Sequence, residues 1–351
     1  MHTPREGKAA LVTGAGGQDG VYLTQLLLDK GYIVHGLERD GSAESSERIA
    51  SLGQSAPGRF TLHHGDLNDE AGLLQIVRDL RPDEIYNLAA QSSVQASFDA
   101  PEATFAVNVA GLAHLIEAIL SLPEPRATRL FQASSSEIFG GGHAGPVNEQ
   151  TPFNPQNPYA ESKRQAHALV VEARRRHGLH ASNGILFNHE SPFRGEAFVT
   201  RKISLAVAAI HLGRQDRLTL GHLDSRRDWG HARDYVQAMS LMLQQPAPDD
   251  YVLATGTAAS VRDFVAAAFA RVGVQMVWRG AGLQEQGLCA DTGRILVDVD
   301  PRFHRPAADS PIGDATKAIA RLGWTARTLW PELAAEMVDE DLKRLAAQRP
   351  R

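Results

Sequence analysis

Two short stretches of the sequence combine residue types that could transfer protons. The stretch SSSEIFG (residues 134–140) places Ser135 and Glu137 just after an apolar run, and NPYAESK places Tyr159 and Lys163 four residues apart. If the second stretch is helical, the phenol and the ammonium lie on one face of the helix. A nearby positive charge lowers the pKa of a phenol, so Tyr159 is predicted to accept a proton from a substrate hydroxyl while a hydride leaves the same carbon.

A glycine motif near the N-terminus predicts a site for the cofactor that such chemistry needs. The sequence TGAGGQDG spaces Gly14, Gly17 and Gly20 by three, after a strand-like run and before a helical pattern. Without side chains the backbone can turn sharply and approach a pyrophosphate, which the N-terminus of the following helix also favours. The glycines in this context predict dinucleotide binding.

The end of the second predicted strand should contact the adenosine ribose of that cofactor. Glu38 and Asp40 could accept a hydrogen bond from a free 2′-hydroxyl, as in NAD, whereas Arg39 suits the 2′-phosphate of NADP. These residues alone leave both cofactors open. After the third strand, Asp66 could either contact the adenine amino group or cap the helix that begins near Asp69.

The elements that must position these residues form a repeating pattern. Short strand-like runs alternate with helical patterns through the first half of the chain. Such repetition predicts a parallel sheet with right-handed crossovers and ligands at the carboxyl ends of its strands. The expected fold class is α/β, a Rossmann-type doubly wound parallel sheet with a smaller, mostly helical C-terminal substrate domain. The predicted sheet strands are 8–14, 32–38, 60–66, 84–90 and 129–135.

The alternation fades after about residue 185 without a linker or a low-complexity tract. We therefore predict two tightly packed domains that exchange segments. The dinucleotide-binding domain is expected to comprise 1–187 plus about 229–256. The substrate-binding domain is expected to comprise about 188–228 and 257–351.

Composition excludes several other classes of function. The chain has 351 residues, of which 43% are hydrophobic and 22% charged, and a formal net charge of −5, so we expect no nucleic-acid partner. The single cysteine, Cys289, and the scattered histidines predict neither a disulfide framework nor a metal site. Because no signal peptide and no apolar run of about 18 residues is recognisable, we expect no membrane partner and a cytoplasmic location.

Several motifs together resemble a known family. The combination of TGxxGxxG, NLAAQ, a hydroxyl-rich end to the fifth strand and YxxxK resembles extended short-chain dehydrogenases/reductases that act on nucleotide sugars. The stretches NHESPFRGEAFVTRKI and RRDWGHARDYV are similar to the GDP-mannose 4,6-dehydratase family, and this similarity runs through nearly the whole chain. It implies a hydro-lyase that uses NADP, acts on a GDP-sugar and forms a homodimer or homotetramer.

The family's reaction assigns a role to each residue of the opening stretches. Such an enzyme oxidises C4 of the hexose, eliminates water across C5 and C6, and returns the same hydride to C6. Ser135 would hydrogen-bond the C4 oxygen, Tyr159 would take the C4 hydroxyl proton, and Lys163 would tune Tyr159 and hold the nicotinamide ribose. Glu137 would take the C5 proton and help to protonate the departing hydroxyl. A reductase or an epimerase needs no carboxylate there, so Glu137 discriminates between these activities.

The resemblance also implies binding residues, transferred position by position. The positively charged residues implied for substrate binding would neutralise a diphosphate. The implied cofactor-binding residues are Gly14, Gly17, Gln18, Asp19, Gly20, Arg39, Asp66, Leu67, Leu88, Ala89, Ala90, Gln91, Ser92, Lys163, His189 and Arg194, and the implied substrate-binding residues are Asn188, Val199, Lys202, Arg227 and Arg305.

The sequence departs from the family's usual pattern at several positions, and four alternatives stay open. Asp40 and Ala103 alter the cofactor side, whereas His222, Arg226 and Ala308 alter the substrate side. NAD is therefore possible in place of NADP. The substrate could be another GDP-sugar, such as a GDP-heptose. The protein could also be a nucleotide-sugar reductase or epimerase, or a catalytically inactive NADP-sensing regulator, although intact catalytic residues argue against the last.

Overall fold

A computed structural model describes residues 7–39, 41, 43–303 and 310–347 of the chain. The strands in these ranges are β1 (Ala9–Thr13), β2 (Ile33–Glu38), β3 (Phe60–His64), β4 (Glu84–Asn87), β5 (Arg129–Ser135), β6 (His180–Leu186), β7 (Asn188–Glu190), β8 (Leu218–Leu220), β9 (Arg226–Arg227), β10 (Trp229–His231), β11 (Tyr251–Leu253), β12 (Ala259–Ser260), β13 (Met276–Arg279), β14 (Gln286–Cys289) and β15 (Ile295–Val299). The helices are α1 (Gln18–Asp29), α2 (Ala43–Ser55), α3 (Glu70–Leu80), α4 (Val94–Asp99), α5 (Pro101–Phe105), α6 (Gly111–Leu120), α7 (Pro158–His177), α8 (Val199–His211), α9 (Ala232–Met242), α10 (Val261–Arg271), α11 (Thr316–Leu322) and α12 (Trp330–Ala347).

A seven-stranded sheet in the order β11-β6-β5-β4-β1-β2-β3 organises the fold. Its neighbouring strands pair in parallel throughout. Strand β1 lies between β2 and β4, so the order of the strands reverses there, and ligands of doubly wound sheets bind in the crevice at such a reversal. The predicted Rossmann-type fold is confirmed. The reversal also brings the glycine motif after β1 beside the ends of β2 and β4.

Apolar helix faces cover both sides of this sheet. On one side, Leu27 of α1 and Met239 of α9 belong to a buried cluster with Trp324. On the other side, Leu115 of α6 and Val170 of α7 are buried with residues of α3. Both faces of the central strands are therefore withdrawn from water, which explains their nearly continuous apolar sequences.

The four-stranded sheet β13-β14-β15-β8 forms a second layer with helices α8, α10 and α12. Ser260 caps α10 in a reciprocal capping box with Asp263. Residues from α11 to Trp324, although late in the chain, pack on the seven-stranded sheet. The two-domain division itself stays a prediction, although its bounds assigned this late segment to the substrate-binding domain.

One helix in the described part of the chain is long and apolar enough to cross a membrane by length and composition. It spans Pro101–Leu120, with a mean hydropathy of 1.6 in its most apolar window. It comprises α5, a π-helical turn (Ala106–Ala110) and α6. Leu112, Leu115 and Ile119 of this helix are fully buried in the core against α3 and α7. Packing in the fold therefore accounts for its apolar sequence.

Candidate active site

A cavity of about 610 Å³ opens at the carboxyl ends of β1, β2 and β4. Thr13 and Glu38 mark the ends of two of these strands, and Ala103 and Val107 close one side. All the residues predicted to bind the cofactor line this cavity except Lys163 and His189. The predicted residues in the lining are Gly14, Gly17, Gln18, Asp19, Gly20, Arg39, Asp66, Leu67, Leu88, Ala89, Ala90, Gln91, Ser92 and Arg194.

The glycine motif forms a cradle that a side chain would fill. Gly14 adopts a φ of +69°, and a Cβ on Gly20 would lie 2.2 Å from the carbonyl oxygen of Gly14. The residue before α1 is Gly17, which has no side chain to cap the helix. The N–H groups of the first turn of α1, which borders the cavity, are therefore not capped by a side chain at this position. This cradle fits the pyrophosphate of a dinucleotide cofactor.

We expect Gly20→Ala to disrupt this cradle. The new methyl group would press on backbone atoms of Gly14 and Ala15, which cannot give way as a flexible side chain would. Such overpacking costs about 1–3 kcal/mol, so the thermal midpoint should fall and cofactor binding should weaken in a titration. Gly53→Ala is the matched control, because a Cβ there would meet only Phe60 at 4.0 Å. Alanine favours the helix, so an unchanged or raised midpoint is expected for the control. Equal loss in both variants would contradict the account of the cradle.

The ribose end of the cavity contains groups of both charges. The Glu38 carboxylate accepts a hydrogen bond of 2.9 Å from the Gly16 N–H, so one of its oxygens already supports the glycine loop. The Arg39 side chain is 72% exposed, and its Nη1 lies 3.7 Å from a carboxylate oxygen of Asp66. Asp40 lies outside the described residues.

The alternative role for Asp66, capping helix α3, is wrong. Asp69 caps this helix by accepting from the Gly72 N–H at 3.0 Å. Asp66 instead accepts from the Asn68 N–H and lines the cavity, where its predicted contact with adenine stays a prediction.

His189 lies behind the cavity rather than in its lining. Its Nε2 lies 2.8 Å from a carboxylate oxygen of Asp19, and its Nδ1 lies 2.7 Å from the carbonyl oxygen of Phe187. Both ring nitrogens face acceptors, an arrangement that suits the doubly protonated ring. Burial disfavours this charge, but the Asp19 carboxylate outweighs burial and raises the pKa of His189. His189 therefore holds Asp19 in place at the start of α1.

Arg194 connects the cofactor cavity to the start of helix α8. It lines the cofactor cavity, its guanidinium stacks 3.5 Å from the ring centroid of Phe198, and its Nε lies 3.0 Å from a carboxylate oxygen of Glu190. The same carboxylate accepts from the Thr200 hydroxyl at 2.7 Å, at the start of α8. The sequence reasoning missed Glu190 and Phe198. Both contact Arg194, which lies four residues after Glu190 and four residues before Phe198.

The predicted catalytic residues meet at the end of β5. Ser135 is the last residue of this strand, and its Oγ accepts from the Glu137 N–H at 3.3 Å. The Tyr159 phenol lies near Ser135, whose side chain acts to lower the pKa of the phenol. Lys163 donates to the carbonyl oxygen of Ala133 at 2.9 Å, and its Nζ lies 5.9 Å from the centroid of the Tyr159 ring. Helix α7 thus places Tyr159 and Lys163 on the face that packs against the strand end.

Burial controls the ionisation of this group. It raises the pKa of Tyr159 to about 12, an effect that the hydrogen bond from Ser135 opposes and the charge of Glu137 reinforces. Burial also lowers the pKa of Lys163 to about 8, against the attraction of Asp19. In the folded protein the pKa of Tyr159 therefore lies above its ordinary value, and the groups that act to lower it are Ser135 and Arg194. The tuning of Tyr159 by Lys163 stays a prediction.

A second cavity, of about 950 Å³, contains Glu137 and most of the predicted substrate-binding residues. Val199, Lys202 and Arg227 line it, as do His222 and Phe303, whereas Asn188 lies outside this lining. The Nζ of Lys202 lies 4.2 Å from the centroid of the Phe303 ring. Arg305, the other predicted substrate residue, lies outside the described residues. The cavity therefore combines cations, an exposed aromatic ring and the carboxylate of Glu137.

The chain is similar to proteins of one family over almost its whole length. Residues 11–337 match the family model described as GDP-mannose 4,6 dehydratase. The chain is 52% identical over 346 residues to the GDP-mannose 4,6-dehydratase of Sinorhizobium fredii (strain HH103), covering 97% of this chain and 99% of that protein. It is 46% identical over 348 residues to the human GDP-mannose 4,6 dehydratase, covering 98% of this chain and 93% of that protein.

A solved structure supports the fold independently. The crystal structure of dTDP-glucose 4,6-dehydratase from Bacillus anthracis str. Ames in complex with NAD superposes with a TM-score of 0.79 at 18% identity. The superposition covers 98% of this chain and 99% of that chain. At this identity the similarity concerns the fold alone.

Proposed function

Because this chain belongs to the GDP-mannose 4,6-dehydratase family, we propose that Ser135, Glu137, Tyr159 and Lys163 carry out the family's reaction. The enzyme is a hydro-lyase that converts GDP-mannose into GDP-4-keto-6-deoxymannose and water. One observation carries the assignment of residues. Glu137 lines the substrate cavity beside Ser136, and its N–H donates to the Ser135 hydroxyl at 3.3 Å, near the buried Tyr159.

The cradle at Gly14 and Gly20 and the N-terminus of α1 fit a nicotinamide dinucleotide. When bound, this cofactor supplies a positive charge and the capacity to take a hydride from C4 and return it to C6. Tyr159 takes the proton of the C4 hydroxyl, and the Ser135 hydroxyl hydrogen-bonds the C4 oxygen. Since burial raises the pKa of Tyr159 to about 12, the phenolate needs positive charge nearby before it can act as this base.

Glu137 then acts in the elimination of water. The C4 ketone acidifies the hydrogen on C5, and Glu137 removes it as a proton. The C6 hydroxyl leaves with a proton delivered by Glu137, so the C5–C6 double bond forms and one water is released. Tyr159 still holds the proton from the C4 hydroxyl. Its return to C5 restores both residues to their starting protonation states.

The substrate cavity supports recognition of the diphosphate. Lys202 and Arg227 line it within the described residues, and either can pair with phosphate oxygens. Arg305 and Asn188 stay predicted substrate contacts. A cytoplasmic location and assembly as a homodimer or homotetramer also stay predictions from the sequence.

We propose NADP as the cofactor. One oxygen of Glu38 is engaged by the Gly16 N–H, whereas the exposed Arg39 borders the cavity beside Asp66. A guanidinium there suits a 2′-phosphate. We expect Arg39→Ala to weaken NADP binding by about 10- to 100-fold, the loss typical of hydrogen bonds to a charged group, and to leave NAD binding unchanged. Titration with each cofactor measures both affinities. Equal weakening of the two would remove Arg39 from the choice of cofactor.

One assay tests the proposed function. The purified protein is incubated with GDP-mannose without added reduced cofactor, and the product is analysed by mass spectrometry. We expect a nucleotide sugar lighter by one water. A requirement for stoichiometric reduced cofactor would indicate a reductase, and an unchanged mass with altered stereochemistry would indicate an epimerase.

A further inference from the structure

Asn157 connects the catalytic carboxylate to the helix that carries the catalytic tyrosine. Its side-chain Oδ1 accepts from the Ala160 N–H at 2.8 Å and so caps helix α7. Its Nδ2 lies 3.3 Å from a carboxylate oxygen of Glu137, to which it donates. Because a backbone N–H requires an oxygen acceptor, the cap fixes the orientation of the amide. The amino group must therefore point to Glu137.

Backbone contacts join the segment that contains Glu137 to the segment that contains Asn157. The Asn154 N–H donates to the carbonyl oxygen of Ile138 at 2.8 Å. Gly140 adopts a φ of +69°, and a Cβ there would lie 2.2 Å from the carbonyl oxygen of Asn154. Backbone contacts therefore hold together the two segments from which the Asn157 and Glu137 side chains meet. Both residues also line the substrate cavity.

We infer that Asn157 is a positioning residue for the elimination step, which aims the Glu137 carboxylate. A donor whose own position is fixed by the helix cap holds the carboxylate in one orientation. Asn157 also fixes the position of Glu137 relative to Tyr159, the second residue of α7. The same side chain therefore holds the carboxylate that acts at C5 and the start of the helix whose tyrosine acts at C4. This inference rests on the proposed function.

Two substitutions separate this role from helix capping. Asn157→Ser and Asn157→Asp both supply a side-chain oxygen that caps helices about as well as asparagine, so the thermal midpoint should stay close to that of the wild type. Asn157→Ser removes the donor to Glu137. Asn157→Asp replaces it with a like charge. Loss of one hydrogen bond to a charged group should lower kcat for GDP-mannose dehydration by about 10- to 100-fold in each variant.

The accumulating sugar identifies the affected step. In quenched single turnovers of both variants, a 4-keto hexose that retains its C6 hydroxyl should accumulate, since oxidation proceeds and elimination is slowed. A role in capping alone would leave Asn157→Ser without this intermediate.

Different results overturn the inference and the proposed function. Wild-type dehydration of GDP-mannose together with unchanged kcat and no accumulated 4-keto hexose in Asn157→Ser would overturn the inference alone. Absence of dehydration by the wild-type protein would overturn the proposed function and the inference with it. If Asn157→Ser lowers the thermal midpoint, single turnovers below that midpoint decide the question, because partial unfolding converts less sugar but accumulates no 4-keto hexose.

Discussion

Replacing Glu137 with glutamine is expected to lower the rate of dehydration by about 10²- to 10⁴-fold, the usual contribution of a general acid–base group. Glutamine keeps the size of the side chain and can still accept from the Asn157 amide. It can neither take the C5 proton nor deliver one to the C6 hydroxyl. The reaction should therefore halt after C4 oxidation, and quenched turnovers should contain a 4-keto sugar that has lost no water.

Cofactor binding supplies the control for this variant. Glu137 lines the substrate cavity and not the cofactor cavity, so Glu137→Gln should bind NADP as the wild type does. Full dehydratase activity in this variant would remove Glu137 from the mechanism.

Tyr159→Phe should give a loss of similar size, about 10²- to 10⁴-fold, at an earlier step. The substitution removes the base for the C4 hydroxyl and the partner of the Ser135 hydroxyl, while the ring still fills its buried site. Neither a 4-keto sugar nor the dehydrated product should form in quenched turnovers. This outcome differs from that of Glu137→Gln, in which oxidation precedes the halt.

The two variants together test the order of the steps. Tyr159 lies outside the lining of the cofactor cavity, so NADP binding serves as the control for folding in this variant also. A 4-keto sugar that formed at the wild-type rate in Tyr159→Phe would show that another group accepts the C4 proton.

Much of the central fold follows from local sequence patterns. The predicted strand 129–135 coincides with β5, and the other predicted sheet strands contain the observed strands with ends shifted by a few residues. The strand predicted over 84–90 ends at Asn87, because Leu88 to Ala90 turn into the lining of the cofactor cavity. Buried parallel strands read as continuous apolar runs bounded by glycine and polar residues, so they are recognisable one at a time.

The C-terminal strands were harder to predict. β13, β14 and β15 have four or five residues each, and β13 alternates half-buried with exposed positions. Short strands of this kind are stabilised by pairing with partners distant in the sequence, so their own residues carry little signal. The pairing of β15 with β8, which lies far earlier in the chain, illustrates the difficulty.

The site shows the same division between local and long-range information. The spacing of Tyr159 and Lys163 and the glycine motif are local patterns, and the structure places both at the carboxyl ends of the sheet strands. Asn157 carried a local signal too, because an asparagine directly before Pro158 is typical of a helix start. Its contact with Glu137 joins segments twenty residues apart and has no local signature.

The ionisation of Tyr159 depends on burial, which the sequence does not display. Residue types alone suggested that Lys163 would lower its pKa. In the folded protein both side chains are buried, and the cost of desolvating the phenolate dominates. Predicting this outcome requires the packing of α7 against β5, which involves many residues outside the motif.

In the proposed mechanism, one active site oxidises C4, eliminates water and reduces C6 within a single turnover. GDP-mannose that carries deuterium at C4 tests this mechanism most directly, with the purified protein, catalytic cofactor and analysis of the label in the product. The expected product is lighter by one water and carries the deuterium at C6 of the same sugar. A dehydrated product without the label, or a sugar that keeps deuterium at C4, would contradict it.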